Sequence, residues 1–472
     1  MKKIIFTLIL IIGIVVGGSF QVGRVIEAEL PTILERVGEL GQMKISITGY
    51  ERNIFRSSVT SEISLASPGG KHEQIFLRHE IWHGPLPFGQ SSDGRWHFKP
   101  MSAVVETSVD RTKPPSGLIG DVFAHCPELY DSFELTEFDF AGNGLSNYSV
   151  PGFERSFGEG DETITLDWQG MNGVATIDKS MKNIKGNVTI PSVRILTETS
   201  RVESSNIRSS YRVFEDFGGL LLGNVTLDAA TMSLSSNQGK TELNDFQFRN
   251  AAQLEEDTVS YSISIGIETI MTAGETYGPA GFELDFTGLD AATILKVQKQ
   301  LQTIQAEVKA LTEEEISNRI FAIYADALPE LIKRDPEIKL NYLNMTGPTG
   351  EFWSQGVIRF TNPGGRKIND MQSFLATIRA SSDSQVSKDL LRNILTGLIS
   401  EQLAEAKEAG QLGDISVEQL IVMAEGASIE QLNKLVADGA IVDEGKNYRA
   451  LFKFEKREAT LNGKPLQLFP PQ

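Results

Sequence analysis

An almost unbroken apolar run opens the chain, from Ile4 to Val16, and two glycines, a serine and a phenylalanine extend it. Its length of roughly 17 residues is near the lower limit for a helix that crosses a bilayer. Two lysines precede the run, and basic residues stay on the cytoplasmic side of a membrane. The pattern predicts a transmembrane anchor over residues 1–23 in a bacterial inner membrane, with residues 24–472 in the periplasm. A cleaved signal peptide is the alternative, although no alanine pair marks a cleavage site.

Residues 24–42 keep the helical spacing of apolar positions, which predicts a juxtamembrane helix with a bend at Pro31. From Met43 the period changes to two, so that Ile45 and Ile47 alternate with polar residues. The same alternation persists to about residue 290, which predicts an antiparallel β-rich region over 43–290. Most of these strands are apolar on one face only, so the other face is wet or lines a cavity.

A helical segment is predicted over residues 291–336. An apolar stripe at steps of three and four predicts an amphipathic helix over 291–311, and its residues are Ile294, Val297, Leu301, Ile304, Val308 and Leu311. Thr312 and Glu315 have the spacing of a capping box, which starts a second helix that bends at Pro329.

Residues 337–472 are predicted to mix strands and helices and to close the same domain. Strands are expected over 338–343, 356–360 and 374–380, and helices over 386–406, 417–425 and 429–437. Ser428 with Gln431 has the spacing to cap the last helix. Asn462-Gly463 between two alternating runs predicts a hairpin turn. The fold class is therefore α+β: an N-terminal transmembrane helix, then a large periplasmic domain of long antiparallel β-sheet with flanking amphipathic helices.

Composition narrows the partners and the compartment. The formal net charge is −18, and such a chain is repelled by nucleic acid and by anionic lipid head groups. No nucleic acid partner is expected. Cys126 is the only cysteine, so no intrachain disulfide forms, and its expected role is that of a small buried apolar residue.

His79-Glu80-Ile81-Trp82-His83 matches the zinc-protease motif H-E-x-x-H. That chemistry needs a helix, because only then do residues four apart bring two imidazoles to one metal. Here the residues from Ile75 to His83 alternate with a period of two, and residues four apart on a strand lie about 13 Å from each other. Gly84-Pro85 also follows directly, where a helix would have to continue. Zinc is not expected, and only His72, His97 and His125 remain as further histidine ligands.

No other signature assigns a reaction. Gly364-Gly365-Arg366-Lys367 lacks the spacing and the setting of a phosphate loop. Asp139, Asn143 and Gly144 partly match a calcium loop, but a β-turn explains these residues better. The sequence therefore predicts no catalytic, cofactor-binding or metal-binding residues, and no cofactor.

Several short segments together carry a resemblance to a known family: Tyr50, Ile54-Phe55-Arg56-Ser57-Ser58, His83-Gly84-Pro85-Leu86-Pro87, Ala327-Leu328-Pro329 with Lys333, Asp335-Pro336, and Ala459-Thr460-Leu461-Asn462-Gly463-Lys464. In this order they resemble the YdgA type of bacterial envelope protein, a family of unknown function. The resemblance implies inner-membrane anchoring, a large periplasmic domain and no established activity. It also implies that a histidine recurs at His83, whereas one at His79 need not recur, which weakens the zinc hypothesis further.

Three functional hypotheses follow. The first is a non-enzymatic, membrane-tethered periplasmic protein whose one-sided sheet binds an apolar, lipid-like ligand or a protein partner in the cell envelope. The alternative is a structural scaffold or homo-oligomer of the inner membrane, assembled through the stripe at 291–311. The third is a zinc hydrolase that uses His79, Glu80 and His83.

Overall fold

The computed structural model describes residues 2–40, 43–66, 72–92, 94–158, 163–237, 239–307, 312–361, 371–408 and 415–467. The chain divides into two compact units, Met1–Ala230 with Leu295–Asp326, and Thr231–Ile294 with Ala327–Gln472. The division falls inside a long strand and two helices: β14 (Leu220–Ser236), α3 (Ala291–Glu307) and α4 (Glu313–Leu331). Large antiparallel β-sheet makes up most of the structure, and helices are the minor part.

The first unit contains two helices in its first 230 residues, α1 (Lys2–Leu40) and α2 (Gly117–His125), besides a 3₁₀ helix over Pro127–Asp131. Its strands before β14 are β1 (Lys44–Arg52), β2 (Arg56–Ala66), β3 (His72–His83), β4 (Gly89–Gln90), β5 (Trp96–His97), β6 (Ala103–Val109), β7 (Phe133–Phe138), β8 (Gly144–Val150), β9 (Phe153–Phe157), β10 (Ile164–Trp168), β11 (Met171–Ile177), β12 (Asn183–Leu196) and β13 (Ser200–Asp216).

Hydrogen bonds join these strands in the spatial order β1-β2-β3-β6-β7-β8-β11-β12-β13, each pair antiparallel. Strand β12 is long enough to pair with β11 over its first half and with β10 over its second half. Strands β4 and β5 form a separate small hairpin between β3 and β6.

The second unit contains the helices α5 (Met371–Leu375), α6 (Lys388–Glu408) and α7 (Val417–Asp438), and a 3₁₀ helix over Ile332–Arg334. Its strands after β14 are β15 (Gly239–Glu255), β16 (Thr258–Ile267), β17 (Thr269–Thr272), β18 (Glu275–Tyr277), β19 (Ala280–Asp290), β20 (Glu337–Gly347), β21 (Gly350–Phe360), β22 (Ile378–Ser387), β23 (Val442–Glu444), β24 (Asn447–Glu455), β25 (Glu458–Leu461) and β26 (Lys464–Leu466).

The spatial order in this unit is β15-β16-β19-β20-β21-β22-β24-β25-β26, again antiparallel throughout. The turn between β25 and β26 is Asn462-Gly463, as the sequence predicts. Both residues have positive φ, +52° and +77°, which asparagine and glycine adopt most readily.

The predicted transmembrane helix over residues 1–23 is wrong: within the described residues, no helix is long and apolar enough to cross a membrane. The apolar run belongs instead to α1, a single helix of 39 residues that continues through Pro31 without a break. The second half of α1 packs against β1 and β3. Ile26 and Leu30 of this helix contact a core cluster of Val59, Ile81 and Ala103.

Two predictions in the second unit also need correction. The strand expected over 374–380 is instead the end of α5 followed by the start of β22. The two helices expected over 417–425 and 429–437 are one helix, α7. Ser428 is buried inside it and donates to the carbonyl of Glu425, so it does not cap a new helix. The capping box of α7 is at Ser416 and Gln419.

Candidate functional site

The H-E-x-x-H motif lies on strand β3, where Val59 of β2 faces His79. Because side chains alternate along a strand, His79 and His83 project from one face of the sheet and Glu80 from the other. The period of two predicted for this segment is confirmed. The helix on which the zinc-protease motif depends is absent, since these residues form β3.

A serine of β2 binds each histidine. Ser61 Oγ lies 2.8 Å from His79 Nε2, and Ser57 Oγ lies 2.9 Å from His83 Nε2. In the register of β2 and β3, each serine faces the residue two positions before its histidine. Both contacts therefore run diagonally between neighbouring strands, which is within reach of such side chains.

The second nitrogen of each imidazole also has a partner. His79 Nδ1 lies 2.9 Å from Thr107 Oγ1 of β6, and His83 Nδ1 lies 3.0 Å from the carbonyl oxygen of Ile54. A carbonyl oxygen only accepts, so His83 carries its proton on Nδ1 and its Nε2 accepts from the Ser57 hydroxyl. Tyr50 in turn donates its hydroxyl to Ser57 Oγ at 3.2 Å.

Helix α1 covers this face at its smallest residues. Ser19 is fully buried and donates its hydroxyl to the carbonyl oxygen of His83 at 3.4 Å. Gly23 lies so close to the imidazole that a Cβ there would be 2.5 Å from His83 Cε1. Gly18 packs against Pro85 in the same way: a Cβ at Gly18 would be 2.7 Å from Pro85 Cδ. The helix can therefore approach His83 and Pro85 only because these positions lack large side chains.

Burial keeps both imidazoles neutral at pH 7. It lowers the pKa of His79 to about 4. The pKa of His83 is also lowered, mainly by burial, against the opposing effect of the hydrogen bond to Ile54. Each ring thus has both nitrogens bound and no charge, as expected of a buried polar group whose partners are in place.

The Ser57–His83 contact has the geometry of a nucleophile and its base. Ser57 and His83 are, however, only 0% and 1% exposed beneath α1, so no substrate reaches the Ser57 hydroxyl in this conformation. Glu80, the third member of the motif, is held on the opposite face by Arg56 and Ser58, both at 3.0 Å. Ser57, His83 and Glu80 are therefore not grouped around one reacting centre.

The remaining candidates of the sequence lie apart from each other. His97 packs on Trp82 with ring centroids 5.2 Å apart, and His125 donates from Nδ1 to the carbonyl of Asp121. The side chain of His72 and the Gly364–Lys367 segment lie outside the described residues. Among the side chains that the structure describes, no group of three His, Cys, Asp or Glu could hold a metal ion. Cys126 is buried as predicted, and burial raises the pKa of its thiol.

A different candidate site lies in the second unit, where strands β20, β21, β22, β24 and β25 bound an open cleft of about 590 Å³. The register places Lys339, Val357, Ser381, Lys453 and Thr460 in one row across these strands, and residues in one row share a face.

The next residues on that face give the cleft its character. Leu451 and Val357 contribute apolar surface, and Leu451 is exposed. Asp383 accepts two hydrogen bonds from Arg449, which lower the pKa of the carboxyl group. Lys339 has no ion-pair partner among the described residues, and Lys453 pairs with Glu455 at 3.1 Å. The cleft thus combines an apolar floor with basic side chains at its edge.

A β-bulge borders the cleft. On the side of β19, Asn341 is the extra residue of β20, between the positions that face Glu283 and Leu284. Its amide nitrogen donates to both Glu283 and Asp285, at 2.7 and 2.6 Å. Gly356 of β21 lies opposite the start of this bulge. Bulges turn side chains away from their regular directions and often lie next to binding sites.

The comparison with protein families matches residues 1–469 to one family, described as bacterial protein of unknown function (DUF945). The chain belongs to DUF945. No curated protein and no solved structure matches this DUF945 chain. The finer resemblance to the YdgA type stays a prediction.

In this DUF945 chain the sequence identified the two histidines and the strand that carries them. It missed their serine and threonine partners, because these come from β2 and β6 and depend on the register of three strands. It also missed the cleft, whose residues lie between 339 and 463. The sequence signals that could have pointed there are Gly356 in an alternating strand and the Asn341-Tyr342 irregularity in β20.

Proposed function

We propose that this DUF945 protein is a non-enzymatic binding protein for a lipid-like amphiphile, which it holds in the cleft formed by β20–β25. One observation carries the proposal: the apolar side chains on the cleft face, Val357 and Leu451, are only partly covered by protein, whereas Phe454 and Ala459 on the opposite face are buried. None of the 11 residues of β20 or the 10 residues of β22 is fully buried. A filled core would bury the apolar residues of one face, as it does at Val59 and Ile81 of the first unit.

The chemistry of the cleft supports an amphiphile over a purely apolar or purely polar ligand. An acyl chain fits the floor formed by Val357 and Leu451. Lys339 and Lys453 at the edge suit an anionic head group such as a carboxylate or a phosphate. The Asp383–Arg449 pair adds a neutral, fixed pair of hydrogen-bonding groups beside them.

Binding of a fluorescent fatty acid, cis-parinaric acid, tests this proposal. Val357→Asp places a charge on the cleft floor, and we expect the affinity for the probe to fall by about tenfold or more. Ile358→Asp is the matched control, because Ile358 is the next residue of the same strand, projects from the opposite face and is 38% exposed. Its affinity should stay at the wild-type value.

Two results would overturn the proposal. The first is that the wild-type protein does not bind the probe. The second is equal loss of binding in Val357→Asp and Ile358→Asp, with both variants folded by circular dichroism. A Lys339→Gln variant then separates the contribution of the head group from that of the acyl chain. It should lower the affinity for the fatty acid but not the affinity for the corresponding fatty alcohol.

A second candidate function, self-association, is favoured by helices α6 and α7. Within the stripe first expected to mediate it, Val297 and Ile304 are buried, and Val308 and Leu311 lie outside the described residues. Exposed apolar residues instead occur on the helical pair, namely Ile394, Leu398, Val417, Ile421, Val422, Met423 and Ile429. We propose a second copy of the chain as the partner of this face. An Ile421→Glu and Val422→Glu double variant should reduce a crosslinked dimer to monomer, and a monomeric wild-type protein would refute the idea.

A further inference from the structure

Three aromatic side chains project together from the first unit. Phe88, Trp96 and Phe98 are 58%, 61% and 64% exposed. Their rings nevertheless contact each other, with centroids 5.5 Å apart for Phe88–Trp96 and 5.3 Å for Phe88–Phe98. Single exposed apolar residues are common, but three large rings in mutual contact form a patch that water solvates poorly.

The backbone holds this patch rigidly. Gly89 pairs with His97 in the β4–β5 hairpin, and His97 is buried against Trp82. Gly89 itself lies so close to Trp82 that a Cβ there would be 2.1 Å from Trp82 Nε1. Because His97 projects inward, Trp96 and Phe98 on either side of it project outward. We call Phe88, Trp96 and Phe98 the aromatic hairpin patch.

The aromatic hairpin patch is close in sequence to a residue that contacts helix α1. Pro85, three residues before Phe88, packs against Gly18 of α1. From Gly18 the helix runs on to Lys2, and the sequence of that stretch is apolar from Ile4 to Val16. The aromatic hairpin patch therefore begins three residues after the point at which the chain contacts the end of this apolar stretch.

Charge and residue type favour the same partner. The segment from residue 84 to residue 100 contains Arg95 and Lys99 but only one acidic residue, in a chain with a net charge of −18. Tryptophan is enriched at the level of lipid head groups, where its ring is half in apolar surroundings, and basic side chains suit anionic lipid. We propose that the aromatic hairpin patch inserts Phe88, Trp96 and Phe98 into the head-group region of a lipid bilayer. This contact requires no spanning helix and is independent of the cleft in the second unit.

Fluorescence quenching by brominated lipid tests the proposal on the full chain. Vesicles of phosphatidylcholine and phosphatidylglycerol are prepared with and without bromine on the acyl chains, which quench tryptophans that enter the bilayer. The chain has four tryptophans, so Trp96→Phe isolates the contribution of the patch. We expect this variant to lose most of the quenching, and Trp168→Phe, in β10, to keep it.

A second variant replaces the two phenylalanines of the patch and keeps Trp96 as the fluorescent reporter. Phe88→Ala with Phe98→Ala should lower the affinity for vesicles by about tenfold or more, whereas Phe140→Ala, also 64% exposed, should not change it. Unaltered quenching in Trp96→Phe would overturn the proposal. Quenching of Trp96 by iodide in vesicle-bound protein would also overturn it. That result would show that Trp96 stays in water, and the patch would then be a site for a protein partner.

Discussion

Acidification should destabilise the folded protein, because it forces a proton onto the buried imidazole of His79. In the folded protein both nitrogens of this ring have hydroxyl partners, Ser61 and Thr107, and no carboxylate of the described residues forms an ion pair with it. A charged ring in this position has lost its water and gained no counter-ion. The free energy of unfolding should therefore fall as the pH falls.

The magnitude follows from the pKa. Burial lowers the pKa of His79 from 6.5 to about 4, so between these values the unfolded chain binds more protons than the folded one. The stabilisation is complete above the unfolded pKa and is lost as the pH falls to the folded pKa. One pKa unit corresponds to about 1.4 kcal/mol, which gives about 3 kcal/mol over the whole range and about 2 kcal/mol between pH 7 and pH 5. The lowered pKa of His83 adds an effect of the same sign.

Urea unfolding at a series of pH values measures this loss. The test variant is His79→Gln, whose amide can bind Ser61 and Thr107 but does not titrate near neutral pH. Between pH 7 and pH 5 it should lose about 2 kcal/mol less than the wild type does. His125→Gln is the control, because His125 is exposed and its hydrogen bond, to the carbonyl of Asp121, lies within its own helix.

The reasoning is refuted if His79→Gln retains the acid sensitivity of the wild type. A direct check is the NMR titration of histidine labelled at Cε1, in which the His79 signal is the one that His79→Gln removes. That signal should not shift between pH 7 and pH 5, since the folded pKa is about 4. A midpoint near 6.5 would show that the buried ring accepts its proton without cost.

Three further predictions concern single contacts. Gly23→Ala should lower the unfolding free energy by about 1–3 kcal/mol in thermal or urea unfolding, because the new Cβ would clash with the His83 ring. Gly17→Ala is the control: the space around Gly17 is open, so this substitution should stabilise α1 by up to about 1 kcal/mol. Ser57→Ala leaves His83 Nε2 and the Tyr50 hydroxyl without their partner, so its unfolding free energy should fall by about 1–3 kcal/mol, and an unchanged value would contradict the buried network. Gly426→Ala should raise the thermal midpoint, by about 0.5–1 kcal/mol in free energy, because Gly426 lies inside α7 with no atom near its Cβ position; a loss of stability would mean that a helix ends there.

Local sequence patterns correctly predicted most of the strands, the capping box at Thr312 and the last turn. Each of these depends on residues close together in the chain. The box at Thr312 and Glu315 forms as predicted, with Glu315 accepting from the Thr312 amide at 2.8 Å and donating its own amide to Thr312 Oγ1 at 3.2 Å. The same spacing at Ser428 and Gln431 gave a wrong helix start. Ser428 is fully buried and Thr396 of α6 donates to its hydroxyl, so tertiary contact, not local spacing, decides its place.

The candidate sites depend on residues distant in sequence, which is why periodicity could not reveal them. Ser57 and His83 meet only because β2 and β3 pair in one register, and a shift of one strand by one residue would place the two side chains on opposite faces of the sheet. The cleft needs the register of five strands and one bulge. The motif drew attention to His79 and His83, and the period of two correctly placed them on a strand, but their hydrogen-bond partners follow only from the strands beside them.

The first helix shows that an apolar run by itself does not reveal which surface the helix packs against. Length and hydropathy describe how apolar a segment is, but not which surface packs against it. In α1 the residues that face the sheet are Ser19, Gly23, Ile26 and Leu30, at steps of four, three and four, so they form one stripe. A helix face that begins with small residues and continues with branched apolar ones fits closely against a packed surface, and lipid imposes no such pattern. The small residues opposite His83 were therefore the signal in the sequence that this part of the helix packs on protein.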